Sequence, residues 1–118
     1  MRILAVETSC DETAVALMEL QGGVAHVVHQ EVASQIEQHR PFGGVVPELA
    51  TRQHLLHLDP MIRALLEKTN CALPDLDGFA VTQGPDLPRH CWSVCPTLKA
   101  WPWPRTNPGW ASIIWKVI

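Results

Sequence analysis

No long apolar run occurs anywhere in the 118 residues, and none approaches the roughly 18–20 consecutive apolar positions a membrane-spanning helix needs. The first residues lack the basic region and extended apolar core of a secretory signal, so a cytoplasmic protein without a membrane partner is expected. Cysteine is sparse. The four present, Cys10, Cys71, Cys91 and Cys95, are expected as thiols and not as a disulfide framework. Acid is missing from one end of the chain. All twelve Asp and Glu lie in residues 1–88 against five basic residues, a net charge of -7, whereas residues 89–118 carry four basic residues and no acid, a net of +4. All five tryptophans (Trp92, Trp101, Trp103, Trp110 and Trp115) also fall in that second part. The mean of -3 therefore describes neither part, and the two differ in kind.

What is present suffices for one domain. A chain of 118 residues, 47% hydrophobic, can bury a core of its own. It opens on a short apolar run, residues 3–6, followed by Thr8, Ser9, Asp11 and Glu12 and then a second apolar run, residues 13–17. This pattern predicts strand, polar turn, strand. Two readings of the turn stand side by side: hydroxyls and carboxylates at a strand end that bind phosphate and steer a metal or a proton, or a hairpin whose Ser and Asp satisfy turn backbone. Gly22 and Gly23 predict a tight reversal into a third strand over residues 24–32, giving an antiparallel meander. The polar stretch 34–42, with Pro41 near its end, reads as a connector that carries His39 outside the core.

Gly43, Gly44, Pro47 and Glu48 prepare a helix start, where proline has no amide to lose and a carboxylate meets the positive end of the helix dipole. Leu49, Leu55, Leu56, Leu58, Met61, Ile62, Leu65 and Leu66 cluster at helical spacing over residues 48–68. Asp59-Pro60 either kinks this helix or starts a second one. Arg52, His54 and His57 are expected on its solvated face. Residues 76–82 read as a buried strand running into a turn at Gln83, Gly84 and Pro85, which would suit an anion if a helix followed; no helical pattern follows.

Residues 89–118 show no consistent period, and Pro96, Pro102, Pro104 and Pro108 interrupt every candidate helix. Three readings remain. His90, Cys91 and Cys95 could bind zinc, although the second cysteine pair of such sites is missing. A basic, tryptophan-bearing tail could bind nucleic acid, although four positive charges make a weak footprint. Alternatively, these residues were never selected to fold together.

Three segments carry a family resemblance: Glu7 to Thr13 (Glu-Thr-Ser-Cys-Asp-Glu-Thr), Phe42 to Ala50 (Phe-Gly-Gly-Val-Val-Pro-Glu-Leu-Ala) followed by Arg52 and His54, and Ala80 to Pro85 (Ala-Val-Thr-Gln-Gly-Pro). In order and spacing they resemble the tRNA threonylcarbamoyladenosine transferases, formerly described as O-sialoglycoprotein endopeptidases or glycoproteases. The resemblance implies an α/β fold: a partial first lobe of an actin-like ATPase (ribonuclease H-like) architecture, with a β-meander followed by helix and strand. Residues 1–88 would form the incomplete lobe, and 89–118 a poorly structured tail. The implied reaction is transfer of a threonylcarbamoyl group from its adenylate to N(6) of the adenosine next to the anticodon in tRNA. Carried over residue by residue, Asp11 and Glu12 are the expected catalytic positions, and Thr8, Ser9, Gly84 and Pro85 the expected substrate or phosphate side. The family's cofactor would be one divalent metal, iron or zinc, and its partners tRNA and the other subunits of the transfer complex.

Two departures qualify the resemblance. Asp86 stands where the family has the second glycine of Gly-Pro-Gly, and the family's metal motif His-x-Glu-Gly-His is absent from this chain. A shifted reading frame accounts for the second. If the true codons of the tail begin one base earlier, every Cys and Trp, whose codons begin TG, becomes Leu, Met or Val, and one consistent codon choice over residues 89–118 ends in His-Leu-Glu-Gly-His. The chain is thus expected to be inactive alone, an N-terminal fragment with an out-of-frame tail. Its alternatives are a non-catalytic remnant that binds the family's partner subunits and, further off, a metallopeptidase-like glycoprotease.

Overall fold

The computed structural model describes residues 1–82 and the backbone of Ala111–Trp115. Strands β1 (Arg2–Glu7), β2 (Glu12–Gln21) and β3 (Val24–Ser34) form the expected antiparallel meander, with Leu4 opposite Leu17 and Val6 opposite Val15. Gly22 and Gly23 both adopt positive φ, 58° and 81°, which a two-residue hairpin turn of matching twist requires. Strand β4 (Gly78–Thr82) runs parallel to β1, and β5 (Ala111–Trp115) runs parallel to β4. The sheet order is β3-β2-β1-β4-β5. Parallel pairing puts the carboxyl ends of β1, β4 and β5 on one edge, beside the turn that follows β1. The remainder of residues 89–118 lies outside the described residues, as does the predicted turn at Gln83, Gly84 and Pro85.

Between β3 and the main helix the chain forms a short helix α1 (Ile36–His39) and one turn of 3-10 helix (Arg40–Phe42). Helix α2 (Pro47–Lys68) then crosses one face of the sheet. Its buried positions, Ala50, His54, Leu58, Ile62 and Leu65, recur at helical spacing along a single stripe. Leu58, Ile62 and Leu65 pack with Leu4, Val6, Val15, Leu17, Cys71 and Leu76 into the apolar core. Alternation along the strands sends Ala5, Ala14, Ala16 and Ala80 to the opposite face, where they line a depression of about 270 Å³.

Pro47 occupies the first helical turn of α2, as expected. Asn70, at φ 48°, ends it: the Asn70 N–H donates to Glu67 and the Cys71 N–H to Leu66, the paired bonds of a left-handed helix stop. The Lys68 ammonium then hydrogen-bonds the Glu31 carboxylate, tying the helix end to β3 and holding Glu31 below its ordinary pKa. That contribution is present above the unfolded-state pKa of the carboxylate and is lost as pH falls through the lowered, folded-state value.

Four expectations need correction. Asp59-Pro60 starts no second helix: α2 is continuous through Pro60, which is exposed, so the Leu56 carbonyl that loses its partner can turn to water. Leu55 and Leu56 face solvent, Leu56 at 66% exposure, because the sheet admits only one stripe of the helix. His54 is buried, at 4% exposure, and does not belong to a solvated face. The polar connector runs over the surface, but it does not keep His39 outside the core: Gln35 and His39 are both buried, at 0% and 3%. The division of the helix is directly testable. Ile62→Ala should cost about 2–5 kcal/mol in urea denaturation, whereas Leu56→Ala should stay within about 0.5 kcal/mol of the parent.

Candidate functional site

The residues between β1 and β2 form a tight turn with Cys10 at its apex, in the left-handed region at φ 51°. A non-glycine residue there carries about 1–2 kcal/mol of local strain, so its surroundings must hold it. They do so from three sides. Glu7, the last residue of β1, accepts the Ser9 N–H at 2.6 Å and also the hydroxyls of Ser9 and Thr82. The first motif is thereby joined to the third, since Thr82 ends β4 and also donates to the Val6 carbonyl at 3.3 Å. The Gln35 N–H donates to the Asp11 carbonyl at 2.8 Å, and His54 Nε2 lies 3.3 Å from the Cys10 carbonyl.

A buried polar group stands beneath this turn. Thr13 Oγ1 is 2.8 Å and Gln35 Nε2 3.2 Å from His54 Nδ1; Gln35 Oε1 is 3.1 Å from His39 Nε2; and the Val46 N–H reaches His39 Nδ1 at 3.2 Å. Val46 precedes α2, so the second motif joins the first through side chains. Asp11 borders a recess of about 360 Å³ that Arg40, Gly44 and Val45 also line, which brings a carboxylate and a guanidinium to one opening.

Of the predicted site residues, Asp11 is half-buried on that recess, Glu12 is exposed at the start of β2, Ser9 is half-buried, and Thr8 is buried. Gly84 and Pro85 lie outside the described residues. Glu7, Thr82 and Gln35 escaped the sequence reading, as did the buried role of His54. Glu7 could have been found as a carboxylate at the end of an apolar strand, directly before two hydroxyl residues. Gln35 carried no such signal. Among the described residues no three His, Cys, Asp or Glu side chains converge closely enough to share a metal ion. The described residues therefore offer no ligand set that fits the family's metal.

Residues 26–88, more than half of the chain, match the family model described as tRNA N6-adenosine threonylcarbamoyltransferase. The chain belongs to that family. It is 52% identical over 87 residues to the tRNA N6-adenosine threonylcarbamoyltransferase of Novosphingobium aromaticivorans, covering 72% of this chain and 25% of that protein. The Brucella anthropi protein of the same name is 49% identical over 88 residues, covering 74% of this chain and 24% of its own length. The chain therefore spans about a quarter of the length of these curated relatives.

Among solved structures it is similar to YeaZ from Pseudomonas aeruginosa, with a TM-score of 0.50 and 26% identity over 84% of this chain and 38% of that one. A second Pseudomonas aeruginosa structure, described as an uncharacterized protein with similarity to peptidase YEAZ, gives a TM-score of 0.52 at 26% identity, covering 83% and 36%. The expected fold class, a partial actin-like lobe, stands.

Cysteine chemistry gives an accessible check on the turn. Cys10 is exposed, whereas burial pushes the Cys71 thiol above its ordinary pKa, against a smaller downward pull from the nearby Arg2 guanidinium. Iodoacetamide at neutral pH should alkylate Cys10 in the folded protein and reach Cys71 only after denaturation, as read by peptide mass mapping. Equal labelling of the two would contradict the packing of Cys71 against α2.

Proposed function

We propose that residues 1–88 are the opening part of a cytoplasmic enzyme that transfers threonylcarbamoyl from threonylcarbamoyl adenylate to N(6) of the adenosine next to the anticodon in tRNA. The observation that carries this reading is the convergence of the three motifs on one turn: Glu7 joins it to the end of β4, and the Gln35, His39 and His54 group joins it to the start of α2. In the reaction the exocyclic amine attacks the carbamoyl carbonyl, the C–N bond forms, AMP departs, and one amine proton is lost. Thr8 and Ser9, at the carboxyl end of β1, stand on the phosphate side. Asp11 and Glu12 orient the reacting group or its counter-ion. Arg40, which lines the same recess as Asp11 and pairs there with Glu37 at 3.4 Å, is the basic side chain that a carboxylate near phosphate requires.

Part of this proposal is a shifted frame for residues 89–118, whose codon-compatible alternative ends in the family's metal motif. Strand β5 ends at Trp115, on the sheet edge shared by the carboxyl ends of β1 and β4. In the alternative frame the His-x-Glu-Gly-His motif falls on residues 114–118, of which 116–118 lie outside the described residues. With those histidines replaced, the 118 residues by themselves do not catalyse transfer. Incubated with tRNA and threonylcarbamoyl adenylate, they should give no modified nucleoside above background by mass spectrometry. Product formation would sink the inactivity claim, and coding DNA that reads in frame across residues 87–89 would sink the frame shift.

A second reading, a remnant that binds partner subunits, is favoured by the apolar side chains left on the outer side of α1 and α2, among them Ile36, Leu55 and Leu56. Pull-down with the other subunits of the transfer complex should retain this chain if that reading holds. It should fail after Leu56→Glu.

A further inference from the structure

The turn needs an explanation beyond the residues it displays. Its apex is a cysteine at positive φ, and the carbonyl of that cysteine lies 3.3 Å from the imidazole of a residue 44 positions away. We propose that His54, with Gln35 and His39 behind it, is the positioning group of this turn. Its Nε2–H holds the Cys10 carbonyl, and with it the left-handed kink that aims Asp11 and Glu12.

The hydrogen-bond directions follow from one fixed donor. The Val46 N–H can only donate, so His39 Nδ1 accepts and His39 Nε2 carries the proton. That proton points at Gln35 Oε1, which orients the Gln35 amide with Nε2 toward His54 and toward the Ala50 carbonyl at 3.5 Å. His54 Nδ1 then accepts, from the Thr13 hydroxyl at 2.8 Å with Gln35 Nε2 beside it, and His54 Nε2–H is left to donate to Cys10. The series runs in one direction from the start of α2 to the turn, with both imidazoles in the Nε2–H form.

Position 54 also has the wrong chemistry for packing alone. Its neighbours on the buried stripe are Ala50, Leu58, Ile62 and Leu65, where an aliphatic side chain would satisfy the helix. Burying an imidazole, an amide and a hydroxyl together is tolerable only when every member is bonded. The role of the network is therefore in what it holds: the Cys10 carbonyl on one side of Asp11 and Thr13 on the other. The value of this aim for transfer rests on the phosphate-side reading above; the grip on the turn does not.

The test is nuclear magnetic resonance on the 118-residue chain. Long-range nitrogen–proton spectra of the unaltered protein should show the Nε2–H tautomer for both His39 and His54. Hydrogen exchange at the Cys10, Asp11 and Glu12 amides should quicken by about tenfold or more in His54→Leu and His54→Asn, while the Leu4 and Ile62 amides keep their protection. His54→Gln, whose amide reaches the former Nε2 position, should return the turn to within about threefold of the parent.

An Nδ1–H tautomer at either ring overturns the proposal, even where the leucine variant fails to fold. So does turn exchange unchanged in His54→Leu, or a glutamine variant no better than the asparagine one. Inorganic pyrophosphate, added to the unaltered chain, separates the two claims. Shifts at the Ser9 to Thr13 amides support the phosphate-side reading; no shift, with the exchange pattern as stated, upholds the positioning group and counts against that reading alone.

Discussion

The stripe of α2 that builds the apolar core also carries the imidazole under the turn. Leu58, Ile62 and Leu65 are fully buried against β1 and β2, each contributing about 1.5–3 kcal/mol by leaving water. The hydrogen bonds around His54 contribute about 0.5–1.5 kcal/mol apiece. The apolar contacts therefore set how far α2 slides along the sheet, and the imidazole goes where that register takes it. Because Ala50, His54 and Leu58 are each one turn apart, a shift of α2 that misplaced Leu58 would also withdraw His54 from the Cys10 carbonyl. Core packing and the geometry of the turn are thus a single constraint.

The turn serves as the junction of segments far apart in the chain. Glu7 connects it to the end of β4 across 75 positions, and His54 connects it to α2 across 44. Neither connection involves the carboxylates of Asp11 and Glu12, which are left half-buried and exposed. Structural duties fall to Glu7 and to the buried polar group and not to the two acids. This division also explains why a family resemblance built on short, separated motifs corresponds to one compact place in the fold.

The meander was legible because two short apolar runs, residues 3–6 and 13–17, flank a polar turn, and because the next reversal is Gly22-Gly23, a pair that accepts positive φ at both positions. The helix was legible from its leucines, but not its facing: Leu55 and Leu56 look as apolar as Leu58 until the sheet selects one stripe. His54 and Gln35 were illegible for the opposite reason. Their burial depends on a set of mutual partners drawn from β2, the end of β3, α1 and α2, and no single segment displays that set. A polar residue in an amphipathic pattern reads as solvated unless its partners are known. The turn was legible as a polar segment between two strands, at Thr8, Ser9, Asp11 and Glu12, whereas the contacts that Glu7 and Thr82 make around it were not.

The left-handed kink at Cys10 has a consequence for the order in which the molecule matures. The β1–β2 hairpin closes through neighbours in sequence, but the contacts that hold its apex close loops of 44 and 75 residues. Such loops cost entropy before they return any bonding, and on a ribosome their second halves are made well after the hairpin. Until α2 docks and β4 joins the sheet, the strained apex lacks these two holds and keeps those that Glu7 gives the Ser9 N–H and the Gln35 N–H gives the Asp11 carbonyl. An early hairpin would therefore exist without an aimed turn. The full set of contacts around the turn is complete only once most of residues 1–82 has been synthesised and packed.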